Sequence, residues 1–172
     1  KNLQNLLIVT AVGLPETHKE KVSEYINRLD NFDGPDIAAV CESDEHQLYE
    51  EALTIYIKFG KNTSGDEQAQ HHLCAVSVIV DEIKDMDRAK EFAERVNMGS
   101  CWSKLGKAYL AQDMVADSVQ AFMKSNDAAD YHEVIAAAER AENHDDLVPY
   151  LKMCRKTIKE QVLDTQLIYS LA

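Results

Sequence analysis

A helical pattern recurs about every 30 residues along this chain, and no other feature restricts its fold as much. It appears in Val22–Tyr25, Leu48–Tyr56, Met86–Phe92 and Met114–Phe122, with Asp145–Leu151 as a fifth instance. A small or aliphatic residue is followed one turn later by an aromatic one: Ala52 by Tyr56, Ala89 by Phe92, Ser118 by Phe122. Val22 and Ala52 are 30 residues apart, Ala89 and Ser118 are 29 apart, and Ser118 and Leu147 are 29 apart. A fixed period in this range marks a stacked repeat protein. One such unit cannot bury its apolar face alone and leans on its neighbours. The expected fold is therefore all-α, an α-α superhelix or solenoid of antiparallel helical hairpins, running over 1–172 as one continuous unit.

The 172 residues suffice for one continuous core, and six Gly and three Pro leave room for few irregular loops. The longest apolar run, Ala75–Val80, is six residues with a Ser inside it, far short of the roughly 20 that span a bilayer. No signal-peptide pattern is present. Lys1 begins on a helical pattern and Ala172 ends within one, as expected of a segment of a longer chain. A net charge of −12 opposes nucleic-acid binding, which needs clustered Lys and Arg, and opposes adsorption to anionic lipid. Cys41, Cys74, Cys101 and Cys154 are 33, 27 and 53 residues apart, which fits no zinc or disulfide framework, so buried free thiols are expected. Asn62-Thr63-Ser64 has the form of a glycosylation acceptor, which matters only in a secreted protein.

The spacing of apolar residues predicts about ten or eleven helices and no strand. The first covers Asn2–Val12, with Leu3, Leu6, Leu7 and Val9–Thr10 as its buried stripe. Thr17 with Glu20, and Ser64 with Glu67, read as capping boxes that open the second and fifth helices. Pro35 suits the first turn of the third helix. The fourth runs His46–Phe59, and Gly60–Gly65 breaks it. The others are expected near Asp87–Val96, Ser100–Ala111, Met114–Ser125, Asp130–Glu142, Asp145–Ile158 and Val162–Leu171. Ala52 to Ala89 is 37 residues, longer than the period, and the surplus falls in the polar stretch between Lys61 and Ala75. That stretch reads as an insertion at Gly65–Cys74. It should lengthen the fifth helix at its start, lie on the surface and stay out of the core.

Few residues suggest chemistry. His71, His72 and Cys74 are the one cluster of metal-ligand types; His71 and Cys74 share a helix face, but no third ligand is near in sequence. Glu50-Glu51 and Asp145-Asp146 sit at helix starts, where the macrodipole accounts for them. Trp102, with Leu105 and Tyr109 at helical spacing, reads as core, as do Tyr25, Tyr56, Phe92 and Phe122. No phosphate-binding Gly-rich loop or G-x-S-x-G motif occurs. No catalytic, cofactor-binding or metal residue is assigned, and partner-binding residues are not identified.

Long runs of residues carry a family resemblance. Asn2-Leu3-Gln4-Asn5-Leu6-Leu7-Ile8, Glu24-Tyr25-Ile26-Asn27-Arg28-Leu29-Asp30-Asn31 and Tyr49-Glu50-Glu51-Ala52 resemble the clathrin heavy-chain family. So do Lys58-Phe59, Asp87-Arg88-Ala89, Glu91-Phe92-Ala93-Glu94-Arg95, Trp102-Ser103-Lys104-Leu105 and Asp146-Leu147-Val148, in order over nearly the whole chain. Gly13–His18, Gly65–Cys74 and Gly99-Ser100-Cys101 depart from the family pattern, which suggests a divergent lineage or paralogue. The resemblance implies a leg segment of the triskelion, a structural and non-enzymatic coat component in vesicle-mediated transport and endocytosis. It implies a cytoplasmic place, on the cytosolic face of coated pits and vesicles. The implied partners are other clathrin heavy chains, trimerising through regions outside this segment, and the light chain, mainly outside it as well. No cofactor, nucleic acid or direct membrane insertion is implied, and the segment itself should be monomeric in dilute solution. Other readings are a vacuolar-sorting scaffold with the same repeat and a helical peptide-binding adaptor.

Overall fold

The computed structural model describes residues 2–14, 20–158 and 161–171. Among these there is no strand, and eleven α-helices pack as helical hairpins. The helices are α1 Asn2–Val12, α2 Glu20–Arg28, α3 Gly34–Glu42, α4 Tyr49–Asn62 and α5 Gly65–Ser77. The later ones are α6 Met86–Val96, α7 Gly99–Ala111, α8 Val115–Ser125, α9 Tyr131–Arg140, α10 His144–Thr157 and α11 Gln161–Leu171. A π-helical turn, Val78–Ile83, continues α5. The contacts divide the chain into two compact units, Lys1–Asp85 and Met86–Ala172.

In the first unit α1 packs on α2 and α3, α2 on α4, and α3, α4 and α5 on one another in sequence. Its core includes Val22, Ile26, Phe32, Ile37, Leu53 and Ile55. Helix α1 corrects its expected stripe. Leu3, Leu6, Leu7, Val9 and Thr10 are exposed, while Ile8, Ala11 and Val12 are buried. This helix is apolar on more than one face, so periodicity alone could not choose which one turns inward. Gln4 and Asn5 help set the choice. Their side-chain oxygens accept the backbone N–H groups of Asn31 at 2.9 Å and Asp33 at 2.8 Å, which ties α1 to the α2–α3 turn.

The expected surface position of Gly65–Cys74 is also overturned. Its first turn is exposed, but His71 and His72 are buried, with 6% and 9% exposure. The His71 ring lies 6.0 Å from Phe59 and 6.5 Å from Tyr56, centroid to centroid. His72 lies over Gly60, where an added Cβ would come within 2.6 Å of its ring. Gly60 therefore does not break α4, which runs on to Asn62. Its missing side chain is what admits His72. Ser64 is the N-cap of α5, as read, but its hydroxyl makes no cap bond. Gly65 follows with φ of 64°, a left-handed start that keeps the Ser64 hydroxyl from the usual N-cap alignment. Thr17 of the other capping box lies outside the described residues.

In the second unit α7 packs on α6 and α8, α8 on α9 and α10, and α10 on α9 and α11. Val119, Phe122, Val134, Leu147, Tyr150 and Leu151 form much of its core. Trp102, Leu105 and Tyr109 are buried together on α7, as their spacing predicts. The ring of Phe122 lies on Gly106, where a Cβ would meet it at 2.9 Å. Beside it the buried Ser118 hydroxyl donates to the Gly106 carbonyl at 2.9 Å. Helices α7, α8 and α9 end alike. Asp113, Asn126 and Glu142 take φ of 56°, 54° and 52°, and the next N–H bonds the carbonyl five residues back. This is the left-handed closure that satisfies orphan carbonyls at helix ends.

Two changes test this packing. Gly106→Ala inserts a methyl under the Phe122 ring and is expected to lower stability by about 1–3 kcal/mol in urea unfolding. Deletion of residues 66–72 would be nearly neutral for a surface extension. Because it removes two buried rings, it is expected to cost at least about 3 kcal/mol by the same measurement.

Candidate functional site

The residues with reactive or ligating side chains are mostly built into the framework. His71, His72 and Cys74 all lie on α5, but the two histidines face aromatic and backbone neighbours. Among the described residues no group of three or more His, Cys, Asp or Glu could hold a metal ion. Glu50 and Glu51 lie in the first turn of α4 and Asp145 and Asp146 in that of α10, so each pair sits at a helix start, as read. Glu51 also accepts a bond from the Ser23 hydroxyl at 2.9 Å. Asp146 and Asn143 cap α10 reciprocally. The Asp146 N–H donates to Asn143 Oδ1 at 3.3 Å, and Asn143 Nδ2 donates to the Asp146 carboxylate at 2.8 Å. Trp102 is no ligand platform. Its indole N–H donates to Asn97 Oδ1 at 3.4 Å, and Lys124 Nζ lies 4.0 Å from its ring centroid.

Lys58 makes a dense set of polar contacts that the sequence did not reveal. From α4 its Nζ donates to the carbonyls of Ile26 at 2.9 Å, Asn27 at 3.3 Å and Leu29 at 2.6 Å. Asp30 Oδ1 lies 2.7 Å away, and the Phe32 ring centroid 5.8 Å. A lysine here satisfies the orphan carbonyls at the end of α2 and complements the negative end of its dipole. Its partners are about 30 residues away in sequence, beyond the reach of local patterns.

Among the described residues each unit has a surface cleft. One of about 520 Å³ lies between α7 and α9, with Lys107, Asp130, Glu133 and Arg140 around Leu110 and Ala136. Three of its four charged residues are paired inside the chain, Lys107 with Asp130 at 3.2 Å and Arg140 with Asp113 at 3.3 Å. The other, of about 380 Å³, lies between α2 and α4 and is bordered by Lys58 and Lys61. Neither brings together a nucleophile, a base and an oxyanion donor.

The thiols carry the clearest electrostatic signature. Cys41, Cys101 and Cys154 are buried and Cys74 is half-buried. Burial, with Glu51 and Glu42 adding to it, pushes the Cys41 thiol from its ordinary 9.0 up to about 12. Burial raises Cys101 to about 11 against a lowering bond from Ser100. Burial raises Tyr56 as well, and its hydroxyl donates to Glu42 at 2.6 Å.

Two surface patches have opposite charge. Lys152, Arg155 and Lys156 are exposed along the second half of α10. In the first unit the Tyr49 hydroxyl donates to Glu82, with Asp44 and Glu42 nearby; burial, then these carboxylates, raise its pKa. Among the described residues, no helix is long and apolar enough to cross a membrane.

A family model described as a region in clathrin and VPS matches residues 1–117. The clathrin heavy chain of Dictyostelium discoideum is 45% identical over 172 residues, all of this chain and 9% of that protein. That of Drosophila melanogaster is 43% identical, again over all of this chain and 9% of the relative. Clathrin heavy chain 2 of Homo sapiens is 42% identical over all of this chain and 10% of its own length. The chain thus spans about a tenth of the length of the curated relatives it matches.

The thiol environments predict both reactivity and pH dependence. At about pH 8 an aromatic disulfide reagent should label Cys74 alone in the folded chain and all four thiols in urea. The folded chain keeps the protons of Cys41 and Cys101 at pH values where the unfolded chain releases them. Their contribution to stability is therefore complete below about pH 9 and declines as the pH rises toward 12. Unfolding midpoints in urea should fall over that range, and Cys41→Ala should flatten the fall.

Proposed function

We propose that this chain, which belongs to the clathrin heavy-chain family, serves as a leg segment of a clathrin coat, a structural element of the lattice. Identity of 41–45% to clathrin heavy chains over the full 172 residues carries this reading. The family model also describes a region of VPS proteins, but the similarity along the whole chain favours clathrin over a vacuolar-sorting scaffold. The peptide-binding adaptor is less favoured, because Lys107, Asp130 and Arg140 of the α7–α9 cleft are already paired within the chain.

The role is mechanical. The buried rings, the Lys58 clamp and the helix caps spend their polar groups on holding helices in place, which suits a scaffold rather than catalysis. The family match runs through residues 85 and 86 without interruption, which supports reading the two units as consecutive parts of one run of repeats. Under this reading the partners are other clathrin heavy chains, with trimerisation and most light-chain binding outside this segment. The setting is the cytosolic face of coated pits and vesicles, with no insertion into the bilayer. The 172-residue chain alone is then monomeric in dilute solution.

Electron microscopy of the purified longer polypeptide tests the reading. Three-legged particles that close into polyhedral cages under mildly acidic assembly conditions are the expected result. Open filaments or unassembled single chains would overturn it.

A further inference from the structure

The two patches of opposite charge fit each other. On α10, Lys152, Arg155 and Lys156 fall at i, i+3 and i+4, so they share one face. Arg155 takes part in the chain's own interactions, but Lys152 and Lys156 have no ion-pair partner among the described residues. Many other cations are paired: Arg28 with Glu24, Lys90 with Asp117, Lys124 with Glu94, Arg140 with Asp113. Like charges four residues apart on a helix repel. The helix dipole favours Arg155 and Lys156 in the last turn, but Lys152 lies a turn earlier, where that effect has faded.

Among the described residues the acidic patch has neutral donors but no cation: Glu42 accepts from the Tyr56 hydroxyl at 2.6 Å and Glu82 from that of Tyr49. Glu42 closes α3, Asp44 lies in the turn after it, and Glu82 lies on the π-helical turn. All three act on the Tyr49 hydroxyl, which donates to Glu82. None of them has a cationic partner among the described residues.

With a net charge of −12 per chain, two copies repel unless opposite charges meet locally. A cluster of three cations is too small to hold so acidic a chain on an anionic membrane or a nucleic acid, where binding grows with the number of cations. A second copy of the same chain offers the matching acidic surface. We propose that the basic face of α10 on one copy docks on the Glu42–Asp44–Glu82 patch of another. The contact uses two different surfaces, so it is heterologous and can repeat from copy to copy. It deepens the coat reading, on which it rests, by naming a surface through which neighbouring legs meet.

Sedimentation equilibrium of the chain at low ionic strength tests this. Lys152→Glu/Lys156→Glu is expected to weaken self-association by at least about tenfold. Asp44→Lys/Glu82→Lys is expected to weaken it as much, although it brings the net charge closer to zero, which would strengthen association if general repulsion were the control. An equal mixture of the two variants should associate again, because the reversed patches match. Circular dichroism and melting temperature confirm that each variant is folded. A chain that stays monomeric at millimolar concentration overturns the proposal. So does a reversed patch that associates as tightly as the original, or a mixture that fails to associate. Loss of this contact with cages still forming would leave the coat reading standing, and absence of cages would leave the measured contact standing.

Discussion

The ring of Phe122 resting on the bare backbone of Gly106 sets how closely α7 and α8 approach, and the order of the second unit follows from that distance. At this separation the Ser118 hydroxyl reaches the Gly106 carbonyl. On its other side Phe122 meets Tyr150 of α10, with ring centroids 6.1 Å apart. The first unit uses the same arrangement, with His72 over Gly60. In a repeat protein each hairpin is the floor for the next, so an error in one spacing is passed on to the helices that lean on it. The positions that most need to stay fixed are therefore glycines, which carry no side chain at all.

Most of the helical framework could be read from the sequence. Turn residues and apolar spacing located α6 to α11 to within two residues at either end, because short amphipathic helices between polar turns leave few alternatives. The misreadings have physical causes. In α1 the apolar residues cover more than one face, and side chains on Gln4 and Asn5 decided the orientation through bonds to a distant turn. In α5 polar composition suggested solvent, yet histidine has a flat ring that packs on Tyr56 and Phe59 as an aromatic residue does. Gly60 looked like a helix breaker because a glycine that ends a helix and one that admits a ring are identical in sequence.

The functional surface was the least legible part, and the chemistry explains why. A catalytic centre concentrates unusual residues at recognisable spacings. A scaffold meets its partners through ordinary lysines and glutamates, whose meaning depends on which neighbours already neutralise them. Lys58 and Lys156 are the same residue type in the sequence. In the fold Lys58 is spent on three carbonyls and Asp30, whereas Lys156 is exposed at the end of α10. Only the pairing of charges in three dimensions separates an internal clamp from a side chain left available for a contact.

The turns have a mechanical consequence. Asp113, Asn126 and Glu142 hold left-handed backbone at the ends of three successive helices, as Lys84 does at the end of the π-helical turn. Glu142 and Lys84 occupy that region at a cost of roughly 1–2 kcal/mol each, whereas Asp113 and Asn126 adopt it more readily. The helices are rigid bodies stitched by their own hydrogen bonds, so the joints are where the chain yields first under load. A scaffold with stiff members and slightly strained joints has built-in compliance. Within each unit, bending is then expected to concentrate at these turns while the buried rings keep their seats.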